Sequence, residues 1–413
     1  MLRILHTSDW HLGKTLGGES LVPASEKALD WLLEVCCARE VDCVLIAGDV
    51  FESPAPSPAA QRLYYRFLAR AAEAGIAVAV VSGNHDGADF LRAASDLLST
   101  RGVFVAGESA EDEALVLRNA AGEPVAGLAA VPCLTELEAR REFSDAAPEG
   151  RAEAYAKGLS ARFSAVRAAL EEKLAGACVP RIAMGHFYAC GAAVDEAGSP
   201  EELGGLPAAP SGVVGEGWDY VALGHVHLPQ ALERPEVRYS GAPWPLSFKD
   251  AGRSLGAVIV TLGMPGEGAL VEPLAVPAFQ PIAAIEGDYD GLLAALERIA
   301  RESPGAWVRA AYTGVTERSD LVDCLQEAAS KLSLRVFEVS NTAAFKRAQK
   351  AVAAGLDGPA VTPTEAFQRL LSESRENDAV LKQLAETFSA AQALLVAGEA
   401  DGSAPCSKEG GER

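Results

Sequence analysis

No two cysteines in this chain stand at C-x-x-C spacing, although it contains eight of them. The adjacent Cys36 and Cys37 fall inside a helical pattern, so neither a thiolate zinc site nor a disulfide framework is indicated, and a reducing cytosol is the expected compartment. No run approaches the roughly 18 apolar residues of a membrane span. The apolar amino terminus meets polar residues by Ser8, too soon for the hydrophobic region of a signal peptide. A cytoplasmic chain that does not enter the membrane is expected. Positive charge is also scarce: 36 Lys and Arg stand against 57 Asp and Glu, a net charge of −21. Such a field repels polyphosphate at long range and, taken alone, argues against nucleic-acid binding. There is no internal repeat.

What is present fits an α/β protein of more than one unit. The 413 residues, 49% of them hydrophobic, predict one large domain with smaller additions. Short apolar runs (LRIL, CVLIAG, IAVAVV) alternate with helical patterns over Ala28 to Arg39, about Pro58 to Ala74, and Ala88 to Leu98. That alternation predicts at least partly parallel strands. In the second helix Leu63, Phe67 and Ala71, beside Tyr64 and Leu68, form one buried face. LVLRN and VAGLAAV read as a hairpin, followed by a long helix from about Arg151 to Ala175. RIAMGH and YVALGH are further strands, separated by a Gly- and Pro-rich loop over 187–218. GAVIVTL closes this first unit, residues 1–276.

A smaller α/β unit is expected over 277–345, with helices at Tyr289 to Arg301 and Ser319 to Leu332. A linker over 346–361 then leads to a helical segment, 362–397. It starts with Thr362 as N-cap, Pro363 at the first helical position and Glu365 completing a capping box. Its last helix aligns Leu381, Leu384, Phe388, Ala391 and Leu395 on one face, which either docks on a partner or packs on the chain's own body. The polar tail 398–413 is expected to be disordered.

Histidine carries the strongest signal. Only six occur, and five of them sit just after strand-like runs, in SDWH, GNHD, GHFY and GHVH, joined by the GDVF stretch. The carboxyl ends of parallel strands share one edge of a sheet, so these segments can converge there. Imidazole nitrogens and carboxylate oxygens are the donors that borderline and hard divalent metals prefer. Asp9 and His11 are two apart, as are His225 and His227, so in extended backbone each pair faces one way. Glycines 48, 83, 185 and 224, each before a polar group, let the chain turn out of the sheet and let a ligand approach. His6 has the opposite pleat parity to Asp9 and is read as structural or supporting.

The ordered set Asp9-x-His11, Gly48-Asp49, Gly83-Asn84-His85-Asp86, Gly185-His186 and Gly224-His225-x-His227 resembles the calcineurin-like metallophosphoesterases. More narrowly, HTSDWHLG, GDVFES, SGNHD, EELGGLPA, YVALGHVHLPQ and YSGAPWPLSF are similar to SbcD-type nuclease subunits of bacterial SbcCD DNA repair complexes. Ala242 and Trp244 depart from that pattern, at positions that bear on packing or substrate shape.

The resemblance implies a sandwich of mixed sheets flanked by helices, plus a small α/β capping domain and a carboxyl-terminal helical segment. It implies two divalent metal ions, with Asp9, His11 and His227 holding one, Asn84, His186 and His225 the other, and Asp49 bridging. His85 would be the catalytic histidine. The mixed N/O donor set favours Mn2+ or another first-row transition metal over Mg2+ or Ca2+. Asp86 either orients an imidazole or caps a turn. The implied activity is hydrolysis of DNA phosphodiester bonds, as a double-strand 3′–5′ exonuclease and a single-strand or hairpin endonuclease. Its implied partner is an SbcC-type coiled-coil ATPase, in a heterotetramer built on a homodimer of this chain. The alternative is a phosphodiesterase or phosphatase acting on nucleotides. The net charge predicts weak DNA binding by this chain alone.

Overall fold

Side-chain alternation along the strands sets the architecture. In Cys43–Ala47, Cys43, Leu45 and Ala47 enter one apolar core while Val44 and Ile46 enter another. Ala77–Val81 repeats this, with Ala79 and Val81 on one side and Val78 and Val80 on the other. Strands buried on both faces read as unbroken apolar runs, which is how the sequence presents them.

The computed structural model describes residues 1–141, 150–193, 202–314, 318, 320–341, 367 and 388. One six-stranded sheet runs in the order Ala269–Ala275, Gly256–Leu262, Leu2–Thr7, Cys43–Ala47, Ala77–Val81, Val103–Val105. Its last four strands are parallel, and Gly256–Leu262 runs antiparallel to both of its neighbours. The second six-stranded sheet runs Gln230–Ala231, Val237–Tyr239, Tyr220–Gly224, Arg181–His186, Pro124–Val131, Ala114–Arg118. Tyr220–Gly224 is parallel to Arg181–His186, which is parallel to Pro124–Val131.

The two sheets share a core that includes Ile4, Leu45, Val81, Met184, Tyr220 and Ala222. Helices Val22–Ala38 and Pro58–Glu73 pack on the outer face of the first sheet, and Arg151–Leu174 on that of the second. The expected sandwich of mixed sheets flanked by helices is thus what forms.

Several elements begin where local chemistry dictates. Ser57 caps Pro58–Glu73 by accepting the Ala60 N–H at 3.3 Å, and the helix buries Leu63, Tyr64, Phe67, Leu68 and Ala71 as expected. Val22–Ala38 starts earlier than the expected Ala28, because Pro23 lies in its first turn, where a missing N–H costs nothing. The single helix expected over Ala88 to Leu98 is instead two, Ala88–Arg92 and Ser95–Ser99. Only the first buries a side chain, Leu91, so no shared apolar face holds the two turns together. The expected hairpin forms between Ala114–Arg118 and Pro124–Val131, where Asn119 Oδ1 accepts the N–H groups of Ala121 and Glu123, both at 3.0 Å.

Beyond the sandwich, Ile282–Gly287, Trp307–Tyr312 and Arg335–Asn341 form a parallel three-stranded sheet in chain order. Helices Tyr289–Glu302 and Leu321–Lys331 pack on it through Leu292, Leu296, Leu325 and Ala329. A small apolar cluster of Leu16, Leu21, Phe248 and Trp307 ties this layer to the sandwich. The expected linker 346–361 and tail 398–413 lie outside the described residues, as does the helical segment 362–397 apart from Phe367 and Phe388. Those two rings, both on helical backbone, stack with centroids 4.0 Å apart. Among the described residues no helix is long and apolar enough to cross a membrane.

Candidate metal centre

Every predicted site residue lies at a carboxyl end of a sandwich strand. Asp9 and His11 follow Leu2–Thr7, Asp49 follows Cys43–Ala47, and Asn84 and His85 follow Ala77–Val81. His186 ends Arg181–His186, and His225 and His227 follow Tyr220–Gly224. The backbone there is not extended, contrary to the expectation from the two-residue spacing. Asp9 (φ 54°), His11 (φ 44°), Asp49 (φ 50°) and His225 (φ 105°) all have positive φ. Non-glycine residues rarely accept this, and such strain is stored where a site requires it.

The glycines explain how two sheets meet so closely. A Cβ on Gly224 would lie 1.8 Å from the Ala47 carbonyl oxygen, and one on Gly83 would lie 2.1 Å from Asp49 Oδ1. Gly48, at φ +85°, faces His186 Nδ1, which a Cβ would approach to 2.2 Å. Gly185 differs from the expectation: it lies within its strand, where a Cβ would sit 3.0 Å from the Phe163 ring, so it makes room for a helix.

Three donor clusters result: Asp9, His11 and His227; Asp49, His186 and His225; and His11, Glu52 and His85. The first two are joined through Asp49, whose Oδ2 lies 3.4 Å from His11 Nε2 and 3.5 Å from His186 Nε2. His11 Nε2 faces His227 Nε2 at 3.2 Å. Asn84 Oδ1 lies 3.1 Å from His186 Nε2 and 2.9 Å from His225 Nδ1. Asp9 is fixed by Ser8 Oγ, which donates to Oδ2 at 2.5 Å, and by the His225 N–H, which donates to Oδ1 at 3.0 Å.

The hydrogen-bond roles test whether cations fit. A carbonyl only accepts, so His186 Nδ1 donates to Ala47 O at 2.9 Å and leaves a bare lone pair on Nε2. The Asn84 amide nitrogen donates to Gly204 O, which turns its oxygen toward the histidines. Three electron-rich atoms, His186 Nε2, Asn84 Oδ1 and Asp49 Oδ2, therefore converge. Lone pairs gather this way around a cation, with each ligand's far side held by a supporting group.

Electrostatics agree. Burial first, and then the charge of Asp49, raise the Asp9 carboxyl well above its usual value. Burial also outweighs the other influences at His186, whose pKa is lowered, and at His227, lowered to about 3 by burial and then by His11. Neutral imidazoles are the form that binds metal, and buried carboxylates need a positive partner.

Sequence reasoning missed Glu52, although it lies three residues after Asp49 in GDVFES. Its Oε2 accepts from His11 Nδ1 at 2.9 Å, and its Oε1 accepts from Lys14 Nζ at 2.7 Å. Burial opposes ionisation there, but the hydrogen bonds from His11 and Lys14 win and lower its pKa to about 2. Both carboxylate oxygens are engaged, so Glu52 orients His11, and the third cluster is a support for the first. His85 Nδ1 donates to the Glu52 carbonyl at 3.2 Å, and its N–H donates to Asp49 Oδ1 at 2.9 Å.

Asp86 resolves as a loop tie: its carboxylate accepts from the N–H groups of Val50, Phe51 and Gly83 at 3.1, 2.8 and 2.8 Å. Burial, then Asp49, raise its pKa to about 7. His6 is structural, with Nδ1 2.9 Å from the Tyr220 hydroxyl and Nε2 3.2 Å from Leu223 O. A cavity of about 110 Å³ opens beside the centre. Asn84, His85, His225 and His227 line it together with Ser247, Lys249, Asp250 and Arg253, so the end of the YSGAPWPLSFKD stretch reaches the cavity.

Comparison with known proteins agrees with this geometry. A family model described as calcineurin-like phosphoesterase matches residues 2–127, and one described as type 5 capsule protein repressor C-terminal domain matches 278–375. The fold and the site define a metallophosphoesterase. The SbcD subunit of the SbcCD nuclease of Escherichia coli K12 is 32% identical over 354 residues, covering 82% of this chain and 84% of that protein. Its Rhodobacter capsulatus counterpart is 37% identical, covering 72% and 76%, and that of Bacillus subtilis 168 is 32% identical, covering 68% and 71%. This chain belongs to the SbcD family of nuclease subunits. Divalent metal ions go with that membership, and the donor set described above fits them.

Proposed function

We propose that this chain is the nuclease subunit of an SbcCD-type DNA repair complex in the cytoplasm, hydrolysing DNA phosphodiester bonds with two Mn2+ ions. The observation that carries the reading is Asp49 Oδ2 lying within 3.5 Å of imidazoles from both donor sets, His11 and His186. Asp9, His11 and His227 would hold one ion, Asn84, His186 and His225 the other, and Asp49 would serve both. Two divalent cations so held supply Lewis-acid polarisation of a phosphoryl oxygen and a nucleophile at neutral pH.

The chain's own residues do the rest. Glu52 keeps His11 in one tautomer by accepting a hydrogen bond from its Nδ1–H, and the Ala47 carbonyl does the same for His186. His85, anchored through Nδ1 to the Glu52 carbonyl, lines the cavity and keeps Nε2 for the substrate. In its protonated form it gives a proton to the departing 3′-oxygen, help typically worth ~10²–10⁴-fold.

Double-strand 3′–5′ exonuclease and single-strand or hairpin endonuclease activities are part of the proposal. In it, residues 1–276 carry the chemistry and 277–345 cap the cleft against DNA. Residues 346–361 link to the stretch 362–397, which docks on an SbcC-type ATPase. Two copies of this chain join two ATPase copies in a heterotetramer. The names of the E. coli, R. capsulatus and B. subtilis relatives support a subunit role. The test is Mn2+-dependent cleavage of end-labelled linear duplex and hairpin DNA, with and without the ATPase and ATP. Shortened duplex and opened hairpin are expected. Hydrolysis confined to mononucleotides and bis-p-nitrophenyl phosphate would overturn the reading.

A further inference from the structure

The turn Ser247–Asp250 is built to present one side chain. Asp250 Oδ2 accepts the N–H groups of Leu246 and Ser247 at 3.0 and 2.9 Å, and Ser247 Oγ accepts the Lys249 N–H at 3.2 Å. Phe248 is buried among Leu16, Leu21 and Trp307, and Asp250 is buried as well. Between these anchors Lys249 is exposed and lines the same cavity as Asn84, His85 and His227.

Its charge is unusual for this cleft. Lys14 is neutralised by Glu52, and Arg253 has Asp250 at 3.4 Å. Among the described residues no carboxylate pairs with the Lys249 ammonium. In a chain of net charge −21, a lysine held at the mouth of the cleft with no carboxylate paired to it among the described residues is directed at something anionic.

We propose that Lys249 is a substrate-positioning residue that holds a backbone phosphate next to the scissile one. This rests on the nuclease reading above. The reacting phosphate is the province of the buried donor set; an ammonium is repelled from divalent cations there and is favoured one step along the strand. Such a contact positions the strand without reading its sequence. It distinguishes a polynucleotide from a single phosphodiester, which has no second phosphate to offer.

The test uses full-length protein with Mn2+, comparing wild type, Lys249→Ala and Lys249→Arg. Binding of labelled duplex is titrated against KCl by fluorescence anisotropy, and kcat and KM are measured on duplex DNA and on bis-p-nitrophenyl phosphate. Lys249→Ala should raise the KM for DNA about tenfold, the loss expected of one charge-assisted contact, with the larger change in KM and not in kcat. Its salt slope should fall by about 0.7–0.9, one phosphate's worth. The ratio of kcat/KM on DNA to that on the small ester should drop, and Lys249→Arg should restore it. An unchanged salt slope, or equal losses on both substrates, would overturn the assignment. Wild-type turnover of the small ester with no DNA cleavage, even with the ATPase and ATP added, would instead overturn the nuclease reading, and the phosphate assigned to Lys249 with it.

Discussion

His186 crosses from the second sheet to donate its Nδ1 proton to the carbonyl of Ala47 in the first, at 2.9 Å. That bond leaves Nε2 bare and 3.1 Å from Asn84 Oδ1, two acceptors that a cation between them reconciles. Chelating the metal should therefore lower the melting temperature, since a ligand at a hundred times its Kd contributes about 2.7 kcal/mol. In His186→Gln the chelator should shift the melting point much less. Equal shifts in both proteins would remove His186 from the ligand set.

Glu52 touches no substrate in this reading, but it holds the His11 imidazole through Nδ1. Glu52→Ala should weaken Mn2+ binding by roughly 10–100-fold, the usual cost of losing such a support. Calorimetric titration of the metal-free protein measures this directly. Wild-type affinity in the variant would mean that His11 is oriented by other groups.

Gly224 has no room for a methyl group, because a Cβ would sit 1.8 Å from Ala47 O, a backbone atom that cannot swing away. Gly224→Ala should cost about 2 kcal/mol or more in urea denaturation, by overpacking the seam between the sheets. Gly212→Ala, with nothing within 4 Å, is the control and should be close to neutral.

His6 gives a pH dependence of defined sign. Burial first, and then Arg238, lower its pKa from 6.5 to about 3. Between those values the unfolded chain holds the proton and the folded one does not, so stability falls as pH drops through 6.5 toward 3. The contribution is on the order of 1 kcal/mol per pH unit in that window. Chemical denaturation of metal-free protein should show a shallower decline for His6→Gln between pH 6.5 and 4.5, the upper part of that window. Parallel curves would assign the acid sensitivity to other groups.

Much of this was legible in advance because strand and helix periods are local. The apolar runs around Val44 and Val80, the buried stripe from Leu63 to Ala71, and the hairpin at Asn119 depend on neighbours in sequence. The convergence of Asp9, Asp49, Asn84 and the histidines was legible through the shared edge of parallel strands. The means of convergence was not. The positive φ values of Asp9, His11, Asp49 and His225 answer to contacts across the seam, which spacing cannot report. Glu52 was missed for the same reason: its partner His11 lies 41 residues away in the chain. Gly185 looked like its counterparts but meets Phe163, a residue of a distant helix.

The donors of the proposed metal site come from both sheets, Asp9, His11, Asp49 and Asn84 from one and His186, His225 and His227 from the other. In the proposed arrangement a cation would find its full complement only after the halves have closed on each other, and so would favour the finished sandwich over any half-built form. Metal uptake would then double as a checkpoint on the assembly of this chain.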